Sequence, residues 1–166
     1  MSDPAKSDSA KRAGSRRKAR LRAVELLFEA EARDLDPAEL AAERSAELVK
    51  DLSAPQLTPY ALVVLEGVRD HLEVVDQTIS DHLRGDWSLN RLPAVDRSIL
   101  RVAVWELLFA PEVPTAVAVD EALELAKGLS TDESPGFING VLGRLVELAN
   151  QIRGAAEAGG EALPPE

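Results

Sequence analysis

Every long apolar segment of this sequence repeats at intervals of three and four residues, and that spacing constrains the chain to helices. No stretch alternates apolar and polar residues between turn signals as a half-buried strand does. The segments are punctuated by one recurring device, a small capping residue followed by proline: Asp36-Pro37, Thr58-Pro59 and Ser134-Pro135. The capping side chain accepts a hydrogen bond from an orphan N–H of the first turn, and proline takes the position whose own N–H has no helical partner. The expected fold class is therefore all-α.

The punctuation and spacing give six or seven helices. Ser15 is expected to cap the first, whose core stripe would be Leu21, Val24, Leu27/Phe28 and Ala32. Asp36, with Pro37 and Glu39 behind it, opens a second running to about Leu52. Thr58-Pro59 opens a third with Leu62, Leu65, Val68 and Leu72, and a fourth spans about Val75 to Leu83, ending near Gly85. Ser88 to Leu92 reads as a short turn. From Val95 the run Ile99, Leu100, Val102, Ala103, Val104, Leu107 and Leu108 is apolar around most of its circumference, so this helix should be central. Pro111 and Pro114 end it, and Val117 to Leu129 follows with Val119, Leu123 and Ala126 on one side. The last helix, from Ser134-Pro135, carries Phe137, Val141, Leu142, Leu145 and Leu148. Short links suggest an all-helical domain over 15–153, made of two packed sub-bundles at about 15–85 and 88–153. Residues 1–14 are polar and small and are expected to form a mobile, disordered basic arm; residues 154–166 are expected to form a loose, disordered tail.

Charge is distributed unevenly. The 166 residues carry a net −10, which taken alone argues against a nucleic-acid partner. Yet residues 1–22 hold eight basic side chains against Asp3 and Asp8, a net of +6, while the other 144 hold 11 basic and 27 acidic, a net of −16. Arg16, Arg17, Lys18, Arg20 and Arg22 cluster at the entrance of the first long helix, and clusters of this kind bind phosphates with release of counterions. The competing reading is a solvated cationic tail.

Catalytic chemistry finds little support. There is no cysteine, which excludes thiolate nucleophiles and thiolate metal sites, and the two histidines, His71 and His82, would lie about 16 Å apart on one continuous helix, too far to share an ion. Both read as surface or half-buried fillers. Asp120, Glu121 and Glu124, or Asp132 and Glu133, read as solvated helix faces rather than acid/base pairs. No phosphate-binding glycine loop and no nucleophile elbow occurs. The chain is not expected to be an enzyme, nor to hold a metal or cofactor. No apolar run reaches the roughly 18 residues of a membrane span, and a cytoplasmic location is expected.

Gly136, Gly140 and Gly143 interrupt the last helix, where each costs about 1 kcal/mol relative to alanine. Close helix packing is the preferred reason, and backbone access for a ligand beside Asp132, Glu133, Ser134 and Phe137 the alternative.

Three blocks together resemble the NusB family of bacterial transcription antitermination factors. They are Arg16 to Phe28 (RRKARLRAVELLF), Leu92 to Phe109 (LPAVDRSILRVAVWELLF) and Val113 to Leu145, which holds VPTAVAVDEALELAK and SPGFINGVLGRL. The resemblance covers about residues 15–150, and departs from the family where Phe28 and Trp105 replace a frequent Tyr and Asp120 a frequent Asn. It implies a seven-helix protein that pairs with the ribosomal small-subunit protein NusE and binds the single-stranded boxA element of nascent ribosomal RNA within an RNA polymerase antitermination complex. It also implies an RNA surface comprising Arg12, Arg16, Arg17, Lys18, Arg20 and Arg22, together with Asp132, Glu133, Ser134 and Phe137. Asp96, Arg97 and Arg101 would face NusE. Some members of the family self-associate, so the rival reading is a helical adaptor or homodimer whose basic arm binds an acidic protein surface.

Overall fold

The computed structural model describes residues 3–51, 53 and 57–161, and among them it contains seven α-helices, one 3-10 turn and no strand. The helices are α1 (Pro4–Ala32), α2 (Pro37–Lys50), α3 (Pro59–Asp70), α4 (Leu72–Asp81), α5 (Ala94–Phe109), α6 (Thr115–Leu129) and α7 (Ser134–Glu161), with the 3-10 turn at Leu89–Arg91. They fall into two compact units, Met1–Asp70 with α1 to α3 and His71–Glu166 with α4 to α7. The boundary expected near residue 85 is thus corrected to residues 70 and 71, and α4 belongs to the second unit. One residue, His71, separates α3 from α4, so neither proline nor glycine marks the division.

Two further expectations are corrected. Residues 4–14 are helical rather than a loose arm. Asp3 caps α1 by accepting from the Ala5 N–H at 3.1 Å, Pro4 stands at the helix start, and Ser15 lies well inside. This is the same aspartate-proline device that opens α2, where Asp36 accepts from the Ala38 N–H at 2.7 Å. At the other end α7 continues through residues 154–161 instead of stopping at Arg153. Residues 1 and 2, the tail 162–166 and Leu52, the expected end of α2, lie outside the described residues.

In the first unit α1 packs on α2 and α3, and α2 on α3. Its core is built from Ala19, Ala23, Val24, Leu26, Leu27 and Ala30 of α1, Leu40 and Ala41 of α2, and Ala61, Val64, Leu65 and Val68 of α3. The α1 stripe is therefore rotated from the expected one: Phe28 and Ala32 are exposed. Leu72, expected on the third helix, is an exposed residue of α4.

In the second unit α5 packs against α4, α6 and α7, as its all-round apolar surface requires. Ile99, Leu100, Val104 and Leu107 are fully buried, facing a core that includes Val75 and Ile79 of α4, Ala118, Ala122 and Ala126 of α6, and Ile138, Val141, Leu142, Leu145 and Ala149 of α7. The α6 face is again rotated, with Val119 and Leu123 half-buried. No helix among the described residues is long and apolar enough to cross a membrane.

Candidate nucleic-acid interface

On α1, Arg12, Arg16 and Arg20 fall at i, i+4 and i+8 and share a face. Their environments differ sharply. Arg12, Arg17 and Lys18 are exposed, whereas Arg16 is half-buried and Arg20 is only 3% exposed. Both shielded guanidinium groups lie over the ring of Tyr60 on α3, Arg16 at 4.5 Å and Arg20 at 5.6 Å from its centroid. The ring's negative face attracts the two cations and holds the side chains down. Arg20, expected to reach RNA, is thereby corrected to a residue of the unit's interior, and Arg22 is half-buried and paired with Glu25 at 3.1 Å. Arg12, Arg17 and Lys18, together with Lys6 and Lys11, form the exposed cationic surface of this helix.

The residues expected at the start of α7 also separate. Asp132 and Glu133 are exposed and Phe137 is half-buried. Ser134 is not available: it is 3% exposed, its hydroxyl donates to Asp96 Oδ2 at 3.0 Å, and the hydroxyls of Ser130 and Thr131 lie 2.8 and 3.0 Å from it. Ser130 donates to the other oxygen of the same carboxylate at 2.5 Å.

Asp96 is therefore corrected as well. Expected to face a protein partner, it is 3% exposed and joins the start of α5 to the start of α7. The other two residues assigned to that surface are engaged within the second unit. Arg97 donates to the Leu89 and Leu92 carbonyls at 3.0 and 2.9 Å, fixing the 3-10 turn, and Arg101 makes a two-point ion pair with Asp76 of α4 at 2.8 and 2.9 Å. Packing inside the unit accounts for these contacts of all three.

Beside Phe137 the second unit opens a groove of about 920 Å³ lined by Arg84, Gly85, Asp86, Trp87, Arg91, Gly136, Phe137, Gly140 and Arg144. Trp87 is 52% exposed, and its ring meets that of Phe137 with centroids 5.7 Å apart and planes tilted by 51°. A methyl group at Gly136 would meet nothing within 4 Å, and one at Gly140 only the end of the Arg144 side chain at 3.6 Å. Close helix packing is thus not what these glycines serve; Gly143 is likewise open. The sequence offered no periodicity to single out Trp87, which sits in a loop. Its signal was a bulky aromatic set among Gly85, Asp86 and Ser88.

Among the described residues no cluster of histidine and acidic side chains is arranged to hold a metal ion. His71 stacks on Phe109 with centroids 3.9 Å apart, and the His82 carbonyl accepts two hydrogen bonds from Arg144 at 3.1 and 2.7 Å.

These features define a class, an all-α protein whose first helix carries an exposed cationic cluster on an otherwise acidic chain. The sequence profile of the NusB family matches residues 17–147. The solved NusB of T. maritima is 37% identical, with a TM-score of 0.68 over 80% of this chain and 90% of that one. A crystal structure of the antitermination factors NusB and NusE in complex with dsRNA contains a chain 27% identical, with a TM-score of 0.68 over 80% of this chain and 96% of the other. The solution structure of NusB from Aquifex aeolicus is 28% identical, with a TM-score of 0.63 over 90% and 94%. The chain belongs to the NusB family.

Proposed function

We infer that this protein is a transcription antitermination factor that pairs with the ribosomal protein NusE and binds the boxA element of nascent ribosomal RNA. The observation that carries the reading is the cluster of exposed cations Arg12, Arg17 and Lys18, with Arg16 beside them, on the first helix of a NusB-family chain whose remainder is strongly acidic. Phosphates are neutralised by such side chains with release of counterions, whereas the −16 of residues 23–166 repels RNA and suits a basic protein partner. The complex of a related chain with NusE and dsRNA supports the same pairing. The role is binding, not catalysis.

Affinity for RNA should accordingly be weak alone and strong with NusE. Titrating labelled boxA RNA with and without NusE at several salt concentrations tests this. If the four α1 cations each meet a phosphate, log affinity should fall against log salt with a slope of about −3, from roughly −0.7 per contact on a single strand. A flat salt response, or equal binding of a scrambled RNA in the presence of NusE, overturns the reading.

A further inference from the structure

We propose that the groove of the second unit is a nucleotide subsite, in which a base of single-stranded RNA stacks on Trp87 and Phe137 while Arg84, Arg91 and Arg144 face its phosphates. The proposal rests on the RNA-binding reading above and extends it from Phe137 to Arg84, Trp87, Arg91 and Arg144, which lie outside both expected surfaces.

Three independent observations converge on this ligand. First, the aromatic pair is presented rather than buried: Trp87 is half in solvent at the lip of a groove large enough for a nucleotide, and covering an exposed indole removes a large apolar surface from water, which is favourable. Bases stack on such rings whatever their sequence. Second, the groove's Arg91 and Arg144 are held by main-chain carbonyls, where five other arginines are neutralised by carboxylates. Arg22, Arg33, Arg44, Arg69 and Arg101 all pair with acidic side chains. Arg91 instead donates to the Asp86 carbonyl at 3.1 Å, and Arg144 donates to the His82 carbonyl. Those bonds fix the guanidinium groups in place and leave their charge directed to the groove, where Asp86 is the one acidic residue in the lining. Third, Gly136 and Gly140, one helical turn apart, leave the α7 side of the groove open where any larger residue would fill it, at a cost in helix propensity that packing does not explain. An acidic peptide would satisfy the cations but not the ring pair, and an apolar ligand the rings but not the cations. A nucleotide satisfies both.

The test uses the full chain with NusE and a short single-stranded boxA oligoribonucleotide. Trp105 is 6% exposed and Trp87 is the other tryptophan, so Trp105→Phe leaves Trp87 as sole emitter. RNA is expected to quench its fluorescence, as is adenosine monophosphate at high concentration, whereas ribose 5-phosphate and a polyglutamate peptide are not. Trp87→Leu should weaken RNA binding about tenfold or more, the loss of one stacked base. Arg84→Gln should lessen the salt slope by about 0.7. Gly136→Ala supplies a control for folding: its Cβ meets nothing within 4 Å, it raises helix propensity while narrowing the groove, and it should weaken RNA binding while the melting temperature holds or rises. Unchanged Trp87 emission in a complex that still binds RNA, with wild-type affinity for both Trp87→Leu and Gly136→Ala, overturns the subsite alone. Quenching by polyglutamate and not by RNA reassigns the groove to a protein and overturns it too. Absence of any RNA binding by the wild-type chain with NusE overturns the subsite and the antitermination reading together.

Discussion

Ser134 donates its hydroxyl to Asp96 at 3.0 Å, across 38 residues of sequence, and neither side chain is more than 3% exposed. A buried carboxylate is tolerated where hydroxyls supply its hydrogen bonds, and here Ser130 and Ser134 take one oxygen each. The bond sets where α7 begins relative to α5, and so where Phe137 stands, one turn further on.

Asp96→Ala should therefore act on stability before it acts on any partner. Removing the acceptor leaves the buried hydroxyl of Ser134 and the half-buried one of Ser130 to find others, at about 1–3 kcal/mol. Asp96→Asn keeps an acceptor and should lose less. Urea unfolding of the two variants, followed by circular dichroism, checks the order; an Asp96→Ala protein as stable as wild type would return the residue to the partner surface.

Arg101 and Asp76 are expected to be coupled in the same structural sense. Their two-point pair joins α4 to α5 in a partly shielded setting, with side-chain exposures of 15% and 24%, so its coupling energy should exceed that of an exposed pair and reach about 1–2 kcal/mol. A double-mutant cycle with Arg101→Met and Asp76→Asn measures it. Additive losses would show the pair to be idle and Arg101 to serve an external surface.

The helix starts at Pro37 and Pro59 were legible because capping chemistry is local: one aspartate or threonine and one proline carry the signal. The start at Pro4 carries the same signal in Asp3-Pro4, but Ser15 offers a second cap and the residues before it are polar and small. A single glycine costs about 1 kcal/mol, which a helix rich in alanine, lysine and arginine absorbs. The buried faces of α1 and α6 came out rotated because adjacent apolar residues such as Leu26 and Leu27 allow more than one arc, and tertiary packing chooses between them. At the candidate site, Arg12, Arg17 and Lys18 were readable from charge alone. Arg20 was not separable from them, since its burial under Tyr60 depends on a residue 40 positions away. Trp87, Arg91 and Arg144 were missed for the same reason: a groove is made by residues that share no spacing.

The division within the cationic cluster makes a prediction of its own. Replacing Arg12, Arg17 and Lys18 together by Ala should change stability by no more than about 0.5 kcal/mol per site, as befits exposed residues. The same variant should lower the salt slope of RNA binding by about 2. Arg20→Ala should do the reverse, costing about 1–3 kcal/mol through the lost packing and cation contact with Tyr60 while leaving the slope unchanged. Thermal unfolding alongside RNA titration separates the two; a steep loss of slope in Arg20→Ala would place that guanidinium on a phosphate.

Arg153 explains why α7 does not stop where its apolar stripe does. Its guanidinium donates to four main-chain carbonyls: Glu106 at 3.0 Å, Leu107 at 3.1 Å, Ala110 at 3.2 Å and Val113 at 2.7 Å. These belong to the last turn of α5 and the loop after it, where Glu106 and Ala110 each already accept one main-chain N–H, from Ala110 at 3.0 Å and Val113 at 2.9 Å, and where the end of the helix gathers negative potential. A planar cation with five donors can satisfy them together; a lysine cannot. Arg153→Ala should cost about 2–3 kcal/mol, from the desolvation left on several shielded carbonyls, and Arg153→Lys should recover less than half of that. Hydrogen exchange adds a local readout. The amides of the last turn of α5 and of Val113 should lose protection in Arg153→Ala, while those of α1 to α3 keep theirs; a uniform loss would mean that the residue supports the whole fold rather than this one helix end.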